Sequence, residues 1–132
     1  MAANDVIVML TSVGTEEQAL DIGEALVRRR FATCVNLVPS ARSIYRWKGK
    51  VCEDGEFLLI IKTVAREYPA VARTIREINS YELPEILSFG IRDGDPHFRK
   101  WVAEMVRKPK ARTGKKKSPA SARRRAAPAK RS

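Results

Sequence analysis

Few side chains in this sequence could bind a metal or act as nucleophiles: two cysteines and a single histidine. Cys34 lies in an apolar stretch and is interpreted either as a buried small side chain or as a soft metal ligand or redox thiol. Cys52 is followed by three carboxylates within residues 53–56, which predict a solvated hairpin tip or a weak divalent-ion site. His97, preceded by two aspartates, is either a lone surface histidine or a loose cation ligand. The set is too small for a four-ligand zinc site or a Cys-His or Ser-His-Asp triad, so we expect no catalysis.

A second group of residues could form a cleft of mixed charge. Lys62 ends an otherwise apolar run, and we expect a charge there to find a partner. Glu85, directly after a proline, could be that partner on a neighbouring strand or subunit. With Tyr45, Trp47 and Glu82 nearby, these residues predict a cleft that binds a small ligand or an ion. The alternative is that they only hold the subunits together and bind no ligand.

Basic residues are concentrated at the end of the chain. The net charge is +11, yet residues 1–106 contain 14 basic and 15 acidic residues, while residues 107–132 contain 12 basic residues and no acidic one. This segment lacks aromatic residues, Val, Ile and Leu, so we predict a disordered polybasic tail after a folded domain of residues 1–106. Its clusters Lys115, Lys116, Lys117, Arg123, Arg124 and Arg125 predict sequence-independent binding of nucleic acid or another polyanion, or a tail that only adds solubility.

The elements that must position these residues follow from hydrophobic periodicity. The pattern predicts strands over residues 6–10, 32–38, 42–51, 56–63 and 85–91 and helices over 15–30 and 66–79. Asp54-Gly55 is the strongest hairpin signal. Thr15 begins T-E-E-Q, a capping box with Gln18, and Val71, Ile75 and Ile78 form an apolar stripe on the second helix. A last helix begins after its N-cap Asp95, with Phe98, Trp101, Val102 and Met105 on one apolar face. This order predicts an α+β, ferredoxin-like βαββαβ sandwich with an extended hairpin and a C-terminal helix.

The extended hairpin also predicts self-association. Its strands are longer than a sheet of this size uses, and its open edge and aromatic residues require a partner. We therefore expect a homotrimer in which Tyr45 and Trp47 are interface anchors. The longest apolar runs are too short for a membrane span, and the N-terminus lacks a secretory pattern, so we expect a cytoplasmic protein without membrane contact.

Four separated blocks resemble the CutA family of divalent-cation tolerance proteins: ATCVNLVP at residues 32–39, SIYRWKGKV at 43–51, LIIKT at 59–63 and YELPEI at 81–86. The resemblance spans roughly residues 5–106. It implies a ferredoxin-like homotrimer in a cytoplasmic or organellar setting, structural likeness to PII signalling trimers, and binding of Cu(II) or another divalent cation. It implies no catalysed reaction. A PII-like sensor with clefts between subunits and a polyanion-binding oligomer remain the alternatives.

The resemblance also indicates where a copper site would lie. Family members with such a site use a Cys at the end of the first strand and His residues just before the YxxPE-type segment. Thr11 stands at the first position, and Ile78 and Asn79 at the others. Since copper prefers thiolate and imidazole ligands, we expect this site to be absent or rebuilt. Cys34 matches the second-strand Cys of the family.

Overall fold

The structure is a computed structural model that describes residues 1–109. It contains four strands and three α-helices, with a short 3-10 turn at Ala65–Glu67. In chain order the elements are β1 Val6–Val13, α1 Glu16–Arg28, β2 Cys34–Trp47, β3 Lys50–Val64, α2 Tyr68–Ile78, β4 Leu87–Gly90 and α3 Pro96–Met105. The α+β class predicted from the sequence is therefore confirmed.

The four strands form one antiparallel sheet in the order β2-β3-β1-β4. Helices α1 and α2 cover one face of it. The main core joins the inward side chains of β1 and β3, among them Met9, Leu59 and Ile61, to Ile22 of α1 and Ile75 of α2. All of these residues are fully buried, as the helical and strand periodicities predicted.

A smaller core forms on the alternate positions of the same strands. Val6 and Val64 are paired in register, and they pack against Val102 of α3 and Val106. Because successive strand residues point to opposite faces, α3 lies against the other face of the sheet from α1 and α2. None of the helices described within residues 1–109 combines the length and apolar character that a membrane span needs.

The hairpin turn differs from the prediction. The chain reverses at Lys48 and Gly49, whose φ angles are +50° and +81°, and not at Asp54-Gly55. Asp54 and Gly55 lie within β3, opposite Ser43 and Arg42. Two successive residues of positive φ match the twist of the flanking strands in a two-residue turn. Strand β3 consequently begins at Lys50 and not at residue 56, and β2 ends at Trp47.

Strand β2 also continues past the position where it was expected to end. The prediction ended this strand at Val38, before Pro39-Ser40, but the ladder with β3 resumes at Ala41 after a register shift. Ser40 adopts a φ of +64° there. An irregularity of this kind allows a strand to include a proline, which has no backbone N–H to donate, and it bends the strand locally.

The predicted helix N-caps are confirmed. Thr15 accepts a hydrogen bond from the backbone N–H of Gln18 (3.1 Å), and Asp95 accepts one from that of Phe98 (2.9 Å). The reciprocal half of the predicted capping box is absent, because the Gln18 side chain accepts instead from the backbone N–H of Ser80 (3.2 Å). Gln18 thus ties the start of α1 to the segment that follows α2.

The amphipathic face predicted for α3 is only partly covered. Val102 is fully buried, whereas Phe98, Trp101 and Met105 are 45%, 44% and 38% exposed. The rings of Phe98 and Trp101 contact each other, with centroids 5.6 Å apart. Of the predicted apolar face, only Val102 is therefore fully covered within a single subunit.

Candidate functional site

The β2–β3 hairpin extends beyond the rest of the sheet. Strand β1 pairs with β3 only from Phe57 to Val64, whereas β2 and β3 remain paired out to Trp47 and Lys50. We call residues 42–55 the hairpin arm. Within residues 1–109 no third strand pairs with it. Ile44 and Val51, which lie on the arm, are 70% and 65% exposed.

A buried carboxylate lies at the root of the hairpin arm. Glu56 is only 3% exposed. It accepts hydrogen bonds from the hydroxyl of Ser43 (2.5 Å) and from that of Tyr81 (2.6 Å). Hydroxyl donors to an ionised acceptor offset part of the cost of burying it. Glu56 thus joins both strands of the arm to the loop before β4.

A second hydroxyl–carboxylate pair lies further along the arm. Tyr45, directly opposite Cys52 in the ladder, donates its hydroxyl hydrogen bond to Asp54. Both residues are half-buried. Pairs of this kind hold aromatic rings in fixed orientations, so this side of the arm is an ordered surface.

An open cleft lies between this surface and the segment that leads into β4. Its volume is about 690 Å³, within the usual range of small-molecule sites. Tyr45, Trp47 and Glu56 contribute to its lining from the arm, and Glu85 contributes from the opposite side. The cleft therefore combines aromatic surface with two carboxylates.

The structure places three of the five predicted cleft residues together. Tyr45, Trp47 and Glu85 line the cleft, while Glu82 is exposed and lies outside the lining. Lys62 is six residues from Glu56 along β3, and its ammonium donates to the side chain of Asn36. In the single subunit Lys62 is therefore supplied with a partner other than the expected Glu85.

Sequence reasoning missed the central residue of this site. Glu56 was grouped with the carboxylates of a solvated hairpin tip, and neither Ser43 nor Tyr81 was singled out. The alternation of β3 gave no signal for Glu56, because it is out of phase with the buried positions Leu59, Ile61 and Thr63. Once the turn is placed at Gly49, Glu56 falls at the edge of the core.

The residues considered for metal binding are scattered. Cys34 and Cys52 are free, half-buried thiols at opposite ends of the hairpin. Cys34 faces Lys62 across the β2–β3 ladder. His97 is exposed in the first turn of α3. Within residues 1–109 no three His, Cys, Asp or Glu side chains come together as a metal-binding group.

The positions that resemble the copper site have other roles. Thr11 is fully buried, and its hydroxyl lacks a hydrogen-bond partner among the described residues. Asn79 is buried too, donating to the backbone carbonyl of Ser12 (3.1 Å) and accepting from the backbone N–H of Tyr81 (2.9 Å). A hydroxyl and a hydrogen-bonded amide do not supply the soft donors that copper prefers. The residues present there do not fit copper.

The basic clusters predicted to bind polyanions lie outside the described residues. This applies to Lys115, Lys116, Lys117, Arg123, Arg124 and Arg125. The first residue of the predicted tail, Arg107, does contact the folded domain through Glu67. Contact with the folded domain thus extends to Arg107.

Comparison with known proteins agrees with this architecture. Residues 7–105 match the family model described as CutA1 divalent ion tolerance protein. The chain is 41% identical over 97 residues to the divalent-cation tolerance protein CutA of Thermus thermophilus, covering 74% of this chain and 94% of that protein. It is 39% identical over 91 residues to human protein CutA, covering 69% of this chain but only 51% of the human protein.

Solved structures give the same result. The divalent cation tolerance protein (Cut A1) of Thermus thermophilus superimposes with a TM-score of 0.75 at 40% identity, over 76% of this chain and 98% of that chain. CutA1 of Oryza sativa superimposes with a TM-score of 0.76 at 30% identity, over 80% of this chain and 96% of that chain. The chain belongs to the CutA1 divalent ion tolerance protein family.

Proposed function

We propose that this chain is a subunit of a ferredoxin-like homotrimer in the cytoplasm that contributes to tolerance of divalent metal ions without catalysing a reaction. The strand order β2-β3-β1-β4, with helices between the split strands, supports the ferredoxin-like topology. The names of the relatives support the divalent-ion role. The free thiols of Cys34 and Cys52 fit a reducing compartment, and the exposure of the single histidine, His97, supports a non-catalytic role.

The hairpin arm carries the proposal of a trimer. Its two strands pair with each other but with no further strand of the described chain, so their outer backbone groups are free to pair with another subunit. Apolar side chains on the arm, Ile44 and Val51, are mostly exposed. If three such arms each paired with a neighbouring subunit, the outer backbone groups of the arms would be hydrogen-bonded in a closed assembly.

Further apolar surface supports the same proposal. Leu87 and Phe89 on β4 are 52% and 48% exposed, and α3 adds the contacting rings of Phe98 and Trp101. Exposed apolar residues concentrated on a few elements are typical of surfaces that associate.

Light scattering coupled to size exclusion tests the assembly. We expect a mass three times 14.9 kDa, or about 45 kDa, at micromolar concentration. A matched pair of substitutions on the arm locates the interface: Val51→Lys is expected to dissociate the trimer, while Lys50→Gln, at the neighbouring exposed position, is expected to leave it intact. A stable species of single-chain mass for the parent protein would contradict the proposal.

For metal binding we propose that the chain does not use the copper position of its family and that Cys34 is its remaining copper contact. Thr11 and Asn79 occupy the family position with poor donors, whereas Cys34 is a half-buried thiol. Anaerobic calorimetric titration with Cu(II) should give weak heats that disappear in Cys34→Ser and persist in Cys52→Ser. Tight binding that survives Cys34→Ser would contradict this assignment.

A second candidate function, sensing of a small ligand as in PII-like proteins, is favoured by the cleft of about 690 Å³. In a thermal-shift screen of metabolites, a ligand of this cleft would raise the melting temperature by the linkage relation RT ln(1 + [L]/Kd). Glu85→Gln should reduce the shift, and Glu82→Gln, outside the lining, should not. A shift lost equally in both variants would place the ligand elsewhere.

A further inference from the structure

A second cavity lies beside α3, on the face of the sheet that this helix covers. Its volume is about 500 Å³, within the usual range of small-molecule sites. Val6, at the start of β1, and Ile91, just after β4, contribute apolar side chains to its lining. Both residues belong to the smaller core around Val102. The apolar part of the cavity is therefore held in place by the packing of α3.

Three cationic side chains line the same cavity. We call Arg92, Arg99 and Lys100 the cationic rim, and all three are exposed. Among residues 1–109, Arg99 has no carboxylate within ion-pair distance. The other two have only exposed, weak ion pairs, Arg92 with Asp93 at 3.7 Å and Lys100 with Glu104 at 3.9 Å. The positive charge of the rim is therefore largely available to a ligand.

A single carboxylate, that of Asp5, is found among the side chains that line this cavity. It accepts a hydrogen bond from the backbone N–H of Ala2 (2.8 Å), which belongs to the turn before β1. The lining side chains thus carry three positive charges and one negative charge, which gives a net charge of +2. A site of this charge is complementary to a small anion with two negative charges.

We propose that this cavity binds a small phosphate monoester, with the phosphate at the cationic rim and the organic group against Val6 and Ile91. A phosphate monoester carries nearly two negative charges at neutral pH, and guanidinium groups bind phosphate oxygens through paired hydrogen bonds. A carboxylate carries only one charge, so it matches the rim less well. Inorganic phosphate has no organic group to cover the apolar side chains.

This site is separate from the cleft and from the exposed aromatic rings of α3. Leu87, the first residue of β4, lines the cleft, whereas Ile91 lies just past the other end of that strand. Arg99 and Trp101 are two residues apart, about 200° around the helix axis, so they lie on opposite sides of α3. Burial of Trp101 in an assembly would therefore leave Arg99 available to a ligand.

Titration of the full chain with three probes tests the chemistry of the site. Phenyl phosphate has both the charge and an apolar ring, inorganic phosphate lacks the ring, and benzoate lacks the second charge. Binding is followed through the methyl NMR signals of Val6 and Ile91, which report on the cavity itself. A salt concentration of about 0.15 M screens charges that lie more than about 8 Å away.

We expect phenyl phosphate to shift both methyl signals with a Kd on the order of 1 mM or tighter. Inorganic phosphate should bind about tenfold more weakly, because it buries no apolar surface. Benzoate should also bind about tenfold more weakly, because its single charge makes fewer charge-assisted hydrogen bonds.

Two variants that each remove two positive charges locate the phosphate. Arg92→Gln with Arg99→Gln changes the cationic rim. Arg73→Gln with Arg76→Gln is the matched control, since these exposed arginines lie on α2, which covers the other face of the sheet. The rim variant should weaken binding of phenyl phosphate by about tenfold or more, and the control by less than about twofold.

A third variant tests the same site in the opposite direction. Asp5→Asn keeps a side-chain oxygen that can accept from the N–H of Ala2 but removes the negative charge from the lining. It should tighten binding of phenyl phosphate by about two- to fivefold. If melting shows that the rim variant is unfolded, Asp5→Asn decides the outcome.

Several results would overturn the proposal. Methyl signals of Val6 and Ile91 that do not move with phenyl phosphate would exclude the cavity as its site. Equal losses in the two double-arginine variants would reduce the effect to net charge. Benzoate or inorganic phosphate that binds as tightly as phenyl phosphate would refute the assignment to a phosphate monoester. Binding that is unchanged or weaker in Asp5→Asn would contradict the role of charge in the lining.

Discussion

Replacement of Tyr81 by Phe should destabilise the domain, because it removes the hydrogen bond to Glu56. The Tyr81 hydroxyl donates to Glu56 at 2.6 Å, and both residues are buried. Phe keeps the packing of the ring but removes the donor. Hydrogen bonds to charged groups contribute about 1.5 to 3 kcal/mol, so we expect the free energy of unfolding to fall by roughly 2 kcal/mol.

A double-mutant cycle isolates this contact. Glu56→Gln preserves the shape of the side chain but replaces one carboxylate oxygen by an NH2 group, so only one of the two hydroxyls keeps an acceptor. We expect a loss of about 1.5 to 3 kcal/mol, because the hydroxyls of Ser43 and Tyr81 both donate to this carboxylate. The double variant should lose less than the sum of the two single variants, with a coupling energy of about 1 to 2 kcal/mol.

The assay is urea unfolding followed by circular dichroism at one fixed protein concentration, because association adds a concentration-dependent part to stability. Tyr68→Phe is the matched control: Tyr68 is half-buried, and no hydrogen bond to its hydroxyl is found among the described residues. It should cost less than about 0.5 kcal/mol. A coupling energy below about 0.5 kcal/mol, or equal losses for the two tyrosines, would refute the view that Glu56 anchors the arm.

Three further changes probe other parts of the structure. Glu67→Gln should lower the free energy of unfolding by roughly 2 kcal/mol in the same assay, because it removes the buried carboxylate that pairs with Arg107. The control Glu104→Gln, in an exposed pair, should cost less than about 0.5 kcal/mol. Equal effects would show that the pair between Glu67 and Arg107 does not stabilise the domain. Thr11→Val should be neutral or stabilising by up to about 1 kcal/mol, since the buried Thr11 hydroxyl has no hydrogen-bond partner among residues 1–109. Thr63→Val should destabilise by about 1 kcal/mol, because the Thr63 hydroxyl donates to the Phe31 carbonyl. The opposite order of stabilities in thermal melts would show that the Thr11 hydroxyl does form a hydrogen bond. Trp47→Ala should weaken self-association by about 2 kcal/mol in sedimentation experiments, and an unchanged association constant would exclude this ring from the interface.

Hydrophobic periodicity predicted the elements whose signals are local. Thr15 and Asp95 were identified as caps because each satisfies backbone N–H groups only a few residues away. The buried stripe of α2, with Val71 and Ile75, also followed from spacing alone. Local rules succeed where the interactions that decide the structure are themselves local.

The hairpin shows where local rules fail. Asp54-Gly55 has the better intrinsic turn sequence, yet the chain turns at Lys48-Gly49. A turn at the later position would shorten β3, remove most of the pairing between residues 42–47 and 50–55, and place Glu56 in the exposed tip. The pairing of many residues in one register of a long ladder therefore outweighs the intrinsic turn preference of a single dipeptide.

The site could be predicted only in part for the same reason. The aromatic residues Tyr45 and Trp47 stand out by type, but the role of Glu56 depends on Tyr81, 25 residues away in the sequence. The α3 face was recognised by its spacing, but its spacing does not reveal what covers Phe98 and Trp101. Both pieces of information come from tertiary contacts and not from the pattern.

The oligomeric mass is the measurement that tests the central claim most directly: the hairpin arm is completed by other copies of the chain. Light scattering on the parent protein should report about 45 kDa, three times the 14.9 kDa chain, and the value should persist on dilution to about one micromolar. A stable species of 14.9 kDa under the same conditions would contradict the claim, because the arm would then exist with both of its edges unpaired.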